Sequence, residues 1–374
     1  MAGIYIHIPF CKKACHYCNF HFSTTPHQIV PMLASIAKEA ILQKNYLSET
    51  IETVYFGGGT PSLLSTSQLG NLMSVIRAEY KIAPNAEITI ETNPDDFEED
   101  KLQAWKKIGI NRLSIGIQSF VEADLQWMNR AHNALQADNC IRMAKANGFD
   151  NITIDLIYGT PTLSDEAWKE NVEKALSLDI DHVSCYALTV EPKTGLAKMI
   201  QQKKIEDVDP DKQARHFSLL MGWLEDAGFE HYEISNFCKP GKKSKHNSNY
   251  WSGVDYLGLG PSAHSFNGKS RQWNIANNAL YIQSLAKDQV PFELEELTDF
   301  QRINEYIMTS LRTMEGLSLD VIINKWGEKE LAQILEIIRK PIAQGFMVHQ
   351  NKSLILTNAG KLMADGIASD LFFI

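Results

Sequence analysis

The sequence predicts an α/β fold: six strand–helix units in a row forming one parallel sheet, then a smaller α+β module with winged-helix-like content. Three observations predict it. Apolar segments rich in Ile, Val, Tyr and Thr recur six times before residue 190, each closed by a turn signal. Helix-start signals stand between them. The pattern then changes after about residue 235. The strands are expected at 4–8 (IYIHI), 53–58 (TVYFGG), 87–92 (EITIET), 112–117 (RLSIGI), 151–158 (NITIDLIY) and 182–190 (HVSCYALTV). Several read as apolar almost throughout, as strands covered on both faces do. Ser65 with Gln68 forms a capping box opening a helix over 65–80. Ser164, followed by Asp165 and Glu166, opens another, with acids in its positive first turn. Asp209-Pro210 begins a third, which runs to about Ala227 and stops at Gly228. Six units are too few for a closed eight-fold barrel, which leaves an incomplete barrel or a doubly wound sheet.

Residues 1–235 therefore form one unit. Residues 236–297, rich in Gly, Pro, Asn and Ser, read as an irregular bridging segment. From 298 to 374, Thr298 with Gln301 opens a helix whose apolar positions Phe300, Ile303, Ile307 and Leu311 fall at helical spacing. More helices follow, then a hairpin over GFMVHQNKSLILT and a last helix, which is a winged-helix-like order.

Composition narrows the function. The 374 residues suggest two or three domains, and 44% are apolar, enough for a sizeable core. Net charge is -9 with the signs interspersed, so the basic footprint of a nucleic-acid binder is missing. The winged-helix-like end carries 8 Lys/Arg against 9 Asp/Glu, which suits packing or a partner rather than phosphates. No apolar run approaches the roughly 20 residues of a spanning helix. The apolar start is short and breaks at Pro9, unlike a secretory signal. The expected location is the cytoplasm, where thiols stay reduced and clustered cysteines read as metal ligands.

Three of the six cysteines, Cys11, Cys15 and Cys18, stand in a C-x3-C-x2-C pattern. Zinc would need a fourth ligand, which His7, His16 or His21 could supply. Three close thiolates also suit a [4Fe–4S] cluster with one iron left open. The residues alone leave both readings standing. Cys140 and Cys185 read as core, and Cys238 as a small buried hydrophobe. The strand ends carry further signals. Gly57-Gly58-Gly59-Thr60-Pro61 follows the second strand, with glycines that admit a ligand close to the backbone and amides that can donate to it. Glu91 stands in ETNP, Gln118 in GIQSF and Asp155 inside TIDLIYG, with Arg130 on the helix after the fourth strand. An acid inside an apolar strand is costly unless paired or ligand-bound. In parallel barrels the strand C-termini line the site.

Together these segments resemble the radical S-adenosylmethionine (SAM) proteins. YIHIPFC, YFGGGTPS, IETNP, GIQSF and IDLIYGTP are similar, more narrowly, to the branch holding oxygen-independent coproporphyrinogen III oxidase and a heme chaperone. The resemblance covers nearly the whole chain. It implies an incomplete (β/α)6 barrel with a [4Fe–4S] cluster on Cys11, Cys15 and Cys18, whose open iron binds SAM. It also implies one-electron cleavage of SAM to methionine and a 5′-deoxyadenosyl radical, with the electron from a donor protein. Tyr5 would lie beside SAM and the cluster. Gly58, Gly59 and Thr60 would hold the methionine moiety, Glu91, Gln118, Arg130 and Asp155 the rest of SAM, and the Ala187 backbone the adenine.

Within that branch the oxidase pattern ends its cluster motif in C-x-C, whereas here Asn19 and Phe20 follow Cys18. The oxidase also carries an N-terminal extension for which a first cysteine at position 11 leaves no room. HNSNYW, residues 246–251, is similar to the H-N-x-x-Y-W motif of the heme chaperones. That resemblance implies heme, with His246 as a ligand and Tyr250 and Trp251 as flat faces. His264 reads as a hydrogen-bonded histidine rather than a second ligand. The expected function is a heme chaperone that delivers heme to an apo-hemoprotein, itself cytoplasmic, whose recipient is membrane-associated or soluble. The alternatives are coproporphyrinogen III decarboxylation in porphyrin biosynthesis and a zinc-bound scaffold.

Overall fold

The computed structural model describes residues 1–374. The chain runs β1 (Ala2–Ile8), α1 (Ile29–Leu42), β2 (Ile51–Gly58), α2 (Thr66–Glu79), β3 (Ile82–Thr92), α3 (Glu99–Ile108) and β4 (Arg112–Gln118). It continues with α4 (Glu122–Trp127), α5 (Ala134–Ala146), β5 (Ile152–Tyr158), α6 (Asp165–Ser177), β6 (His182–Ala187), α7 (Gly195–Gln201) and α8 (Pro210–Asp226). The strands β1 to β6 are parallel neighbours in chain order, the arrangement of an incomplete (β/α)6 barrel. The expected caps form. Ser65 and Gln68 make a reciprocal capping box on α2, and Asp209 accepts from the backbone N–H groups of Asp211 and Lys212 at the start of α8. The sixth strand stops at Ala187, short of the expected residue 190.

The parallel strands have two unlike faces, and the inner one is not apolar. Side chains alternate along a strand, so Ile4, Ile6, Val54, Phe56, Ile90, Ile115, Ile154 and Leu156 all point outward into one 54-residue core beneath the helices. The inward set is polar and still buried: Thr53, Glu87, Thr89, Arg112, Ser114, Thr153, His182 and Ser184. Buried polar atoms need partners, and most of these have one, although the Thr89 hydroxyl does not. Arg112 donates to Asn151 and Thr153, the Thr153 hydroxyl bonds His182 Nδ1 at 3.1 Å, and His182 Nε2 meets Tyr232 Oη at 2.7 Å.

Residues 236–297, expected to be irregular, are mostly ordered elements. After β7 (Glu230–Glu233) come β8 (Asn236–Cys238), α9 (Lys245–Trp251), β9 (Asp255–Leu259), β10 (His264–Phe266), β11 (Ser270–Asn274), α10 (Asn278–Ala286) and β12 (Phe292–Glu296). These strands are three to five residues long and divided by Gly, Pro and Asn turns, so no alternation builds up in the sequence. They widen the sheet at both ends. β9 joins β1 as a further parallel strand, and β8 and β7 add antiparallel beyond β6.

A second core of 16 residues gathers Ile303, Ile307, Ile322, Ile334, Leu354 and Leu371. It is built from α11 (Asp299–Leu311), β13 (Leu317–Ser318), α12 (Leu319–Lys325), α13 (Glu328–Ile337), α14 (Arg339–Ala343), β14 (Met347–Gln350), β15 (Ser353–Leu356), α15 (Asn358–Lys361) and α16 (Ala364–Asp370). The Thr298–Gln301 capping box opens α11 as expected. The hairpin turns on Asn351 and Lys352 with φ of 50° and 63°, the left-handed pair of a type I′ turn. The helices with this three-stranded sheet make the winged-helix-like α+β module. No helix of the chain is long and apolar enough to cross a membrane.

Candidate functional site at the mouth of the barrel

The cysteines occupy the loop between β1 and α1. That loop is tied down along its length: Cys11 N–H donates to the Ser23 carbonyl at 3.0 Å, His16 N–H to Met128 at 3.2 Å, and Leu196 N–H to His16 at 2.7 Å. All three thiols are free and half-buried. Cys11 Sγ accepts from Thr60 Oγ1 at 3.5 Å and Cys15 Sγ from Arg130 Nη1 at 3.2 Å. Burial pushes the Cys11 thiol up to about 11 and raises Cys18 as well, so binding iron would release protons. No three His, Cys, Asp or Glu side chains close around a single ion. A cubane spreads its irons over separate corners and asks for thiols set further apart than one ion does. Three thiols on one tethered loop fit that donor set. The histidines considered for zinc have partners of their own: His7 Nε2 bonds the His21 carbonyl (2.8 Å), His16 Nδ1 the Trp127 carbonyl (2.9 Å), and His21 Nε2 Asn278 (2.7 Å).

The triple glycine is required by close approach. A Cβ at Gly57 would stand 2.9 Å from the Tyr5 ring and 3.0 Å from Glu91 Oε1. At Gly58, where φ is +105°, it would fall 2.6 Å from the His7 ring. The amides, expected to be free donors for a ligand, already have acceptors. Gly58 N–H donates to Glu91 Oε2 at 3.0 Å, Gly59 N–H to Ile8 at 2.9 Å and Thr60 N–H to Phe10 at 2.7 Å. The glycine turn thus holds the cysteine loop against the sheet.

Strand register brings the other candidates to the same mouth. Tyr5 pairs Tyr55, Ile90 pairs Phe56 just before Glu91, and Asp155 pairs Ser184. Tyr5 Oη reaches His7 Nδ1 at 3.1 Å. Gln118 ends β4 with φ of 67°, a left-handed backbone uncommon for a non-glycine and frequent at functional sites. Ala187 closes β6 opposite Tyr158. Arg130 lies not on a helix but just past α4, because Asn129 turns left-handed at φ 59° and ends it. The buried Arg130 guanidinium then spans the mouth, reaching Cys15, Tyr17 (3.4 Å), Asn93 Oδ1 (2.7 Å) and the Gly116 carbonyl (2.8 Å), while its Nε has no partner.

Two half-buried carboxyls stand among these groups. Burial pushes Glu91 up to about 8, with help from nearby Asp155, and Asp155 up to about 7. Both lie above their unfolded values, so each is charged in the unfolded chain before it is charged in the fold. Their contribution to stability is lost as pH rises through that window. The cofactor-free chain is expected to melt a few degrees lower at pH 8.5 than at pH 6.5. Glu91→Gln, which cannot ionise, should shrink that gap; an identical gap in the variant contradicts the assignment.

HNSNYW forms α9, a capped helix rather than a loop. Ser244 accepts from Asn247 N–H, and the Glu87 carboxylate accepts from the N–H groups of Lys245 and His246 at 3.2 and 3.0 Å. His246 points into the barrel, 2% exposed, with Nδ1 on Thr53 Oγ1 (2.8 Å), Nε2 on Tyr250 Oη (2.9 Å) and its ring stacked on Tyr55. Tyr250 and Trp251 face a separate cleft of about 780 Å³ against the second core. The structure therefore gathers the cysteine, glycine, Glu91, Gln118, Arg130 and Asp155 candidates at one mouth and sets the HNSNYW residues below and behind it. Cys238, Cys140 and Cys185 are buried, and His264 in β10 stacks on Trp273 in β11. Asn93, Tyr17 and Thr53 were missed, and His7, considered only for zinc, instead bonds Tyr5. Only Asn93 had a signal, its place in ETNP.

The family model described as the Radical SAM superfamily matches residues 5–175. The chain is 34% identical over 374 residues to the heme chaperone HemW of Bacillus subtilis, covering 98% of each chain. It is 34% identical to the heme chaperone HemW of Mycobacterium tuberculosis, covering 99% of this chain and 94% of that one. Among solved structures, coproporphyrinogen III oxidase (HemN) from Escherichia coli superposes with a TM-score of 0.86 at 24% identity, over 99% of this chain and 90% of that one. This last likeness is one of fold.

Proposed function

The chain belongs to the radical SAM superfamily and, within it, to the HemW family; from that premise we propose that it is a heme chaperone that binds heme and passes it to apo-hemoproteins. What supports the reading most is full-length similarity to heme chaperones combined with an H-N-x-x-Y-W segment built into a capped helix beside an aromatic cleft. Cys11, Cys15 and Cys18 hold a [4Fe–4S] cluster, and Tyr5, Gly58, Gly59, Thr60, Glu91, Gln118, Arg130, Asp155 and Ala187 surround SAM. When bound, the cluster supplies an electron that can cleave SAM. The residues around it position and shield. Arg130 neutralises the thiolate side and offers its free Nε to a carboxylate. Glu91 and Asp155 present carboxyls to an amine or to ribose hydroxyls. His246, Tyr250 and Trp251 serve heme. The protein acts in the cytoplasm, draws on an electron-donor protein, and its recipient is soluble or membrane-associated.

The test is one anaerobic, reconstituted sample assayed twice. Given coproporphyrinogen III, SAM and a reductant, it should form no protoporphyrinogen. Loaded with heme, it should lose its Soret absorption to an apo-form of a b-type cytochrome. Catalytic accumulation of protoporphyrinogen, or heme retained in the presence of the acceptor, overturns the reading.

A further inference from the structure

A cleft of about 780 Å³ lies behind α9, and nothing in the barrel mouth accounts for it. It opens between the widened sheet and the second core. Tyr250 and Trp251 form one wall, and Tyr306 and Trp326 the other. On the first side Tyr250 meets Tyr256 edge-on at 4.7 Å; on the second Tyr306 and Trp326 stack at 5.6 Å. At about 780 Å³ it lies inside the roughly 300–1,000 Å³ range of ligand sites. Three cations, Arg271, Arg302 and Lys325, face two carboxylates, Asp299 and Glu305. Arg271 is paired to Glu305 at 2.7 Å and Arg302 to Asp299, so Lys325, which has no carboxylate partner, is left over. A cavity with aromatic walls and a surplus cation at its edge suits a flat apolar ligand with acidic substituents.

His246 does not line this cleft. Its two ring nitrogens are engaged inside the barrel, and the Tyr250 ring stands between it and the cavity. An imidazole in that position cannot be what captures a ligand arriving in the cleft.

Building on the heme reading above, we propose that this cleft is the porphyrin-binding site, and that it recognises the macrocycle face and propionates rather than the iron. Trp251 and Trp326 cover the two faces, and Lys325 with Arg302 meets the carboxylates. His246 is a positioning residue, fixing the Tyr250 wall through Oη.

The experiment titrates ferric heme, metal-free protoporphyrin IX and its dimethyl ester into the full chain, following tryptophan fluorescence and the Soret band. Heme and the metal-free dicarboxylate should bind within about threefold of each other, and the ester about tenfold more weakly. Trp326→Ala should weaken both acids by about tenfold or more, and Trp326→Phe should restore most of it. Lys325→Ser should weaken the acids while leaving the ester unchanged. His246→Ala, which frees the Tyr250 wall, should weaken heme and the metal-free acid by the same factor, whereas loss of heme binding alone would make His246 an iron ligand and overturn the proposal. Binding of ferric heme with no binding of the metal-free acid, or Trp326→Ala and Lys325→Ser both without effect, overturns the cleft assignment and leaves the chaperone reading intact. Failure of every porphyrin to bind defeats both.

Discussion

Cys15→Ala is expected to abolish iron binding altogether. After anaerobic reconstitution the unaltered chain should carry about four irons and a broad visible absorption, whereas the variant should carry neither. A cubane held by three thiolates has no spare protein ligand, so losing one leaves two irons open to solvent. Cys15 also accepts from the buried Arg130 guanidinium, and removing the sulfur strips that cation of one of its partners. SAM affinity should vanish with the cluster. Cys140→Ala and Cys238→Ala remove thiols that are buried away from the mouth, and their iron content should match the unaltered chain. If Cys15→Ala retains a full cluster, the C-x3-C-x2-C assignment is wrong.

Gly59→Ala is expected to be the most damaging single-methyl change at the mouth. The added carbon would lie 2.6 Å from the Phe10 carbonyl oxygen, 2.8 Å from the Phe10 nitrogen and 2.9 Å from the Ile8 carbonyl oxygen. All three are backbone atoms of the segment leading into the cysteine loop, so no side chain can swing aside. The backbone must part, and with it go the Gly59–Ile8 and Thr60–Phe10 hydrogen bonds. Overpacking of this kind costs about 1–3 kcal/mol. Thermal melting should show that loss, and iron incorporation should fall by more than half. Gly222 in α8 is the control, since an added Cβ there meets nothing within 4 Å and should be neutral or slightly stabilising. Equal behaviour of the two variants would refute the close-approach argument.

The parts of the fold legible in the sequence were those written over short distances. The six barrel strands, the Ser65, Asp209 and Thr298 caps, and the cysteine triplet each sit within one window of chain. The glycine run was legible for the same reason, although its amides hold the cysteine loop instead of a ligand. What escaped depends on pairing across long separations. DYLGL, residues 255–259, gives no hint that it lies beside residues 2–6. The polar lining could not be seen because its partners lie far along the chain: Thr53 bonds His246, Arg112 bonds Asn151 and Thr153, and His182 bonds Thr153 and Tyr232. Arg130 was misplaced because a single left-handed Asn129 ends α4 early. HNSNYW was recognised by similarity, but its division between barrel and cleft follows from where Glu87 and Thr53 grip α9. Trp326 had no local signal at all.

The seating of β1 between β2 and β9 has a bearing on biogenesis. β1 pairs on one side with residues 51–58 and on the other with residues 255–259. Until residues 255–259 have been synthesised, that strand has an unsatisfied edge, and the loop that follows it lacks a fixed platform. Contacts closed over so long a span form slowly. The cysteine loop is therefore expected to gain its platform only once residue 259 has emerged, and nascent chains stalled before residue 255 should take up no iron.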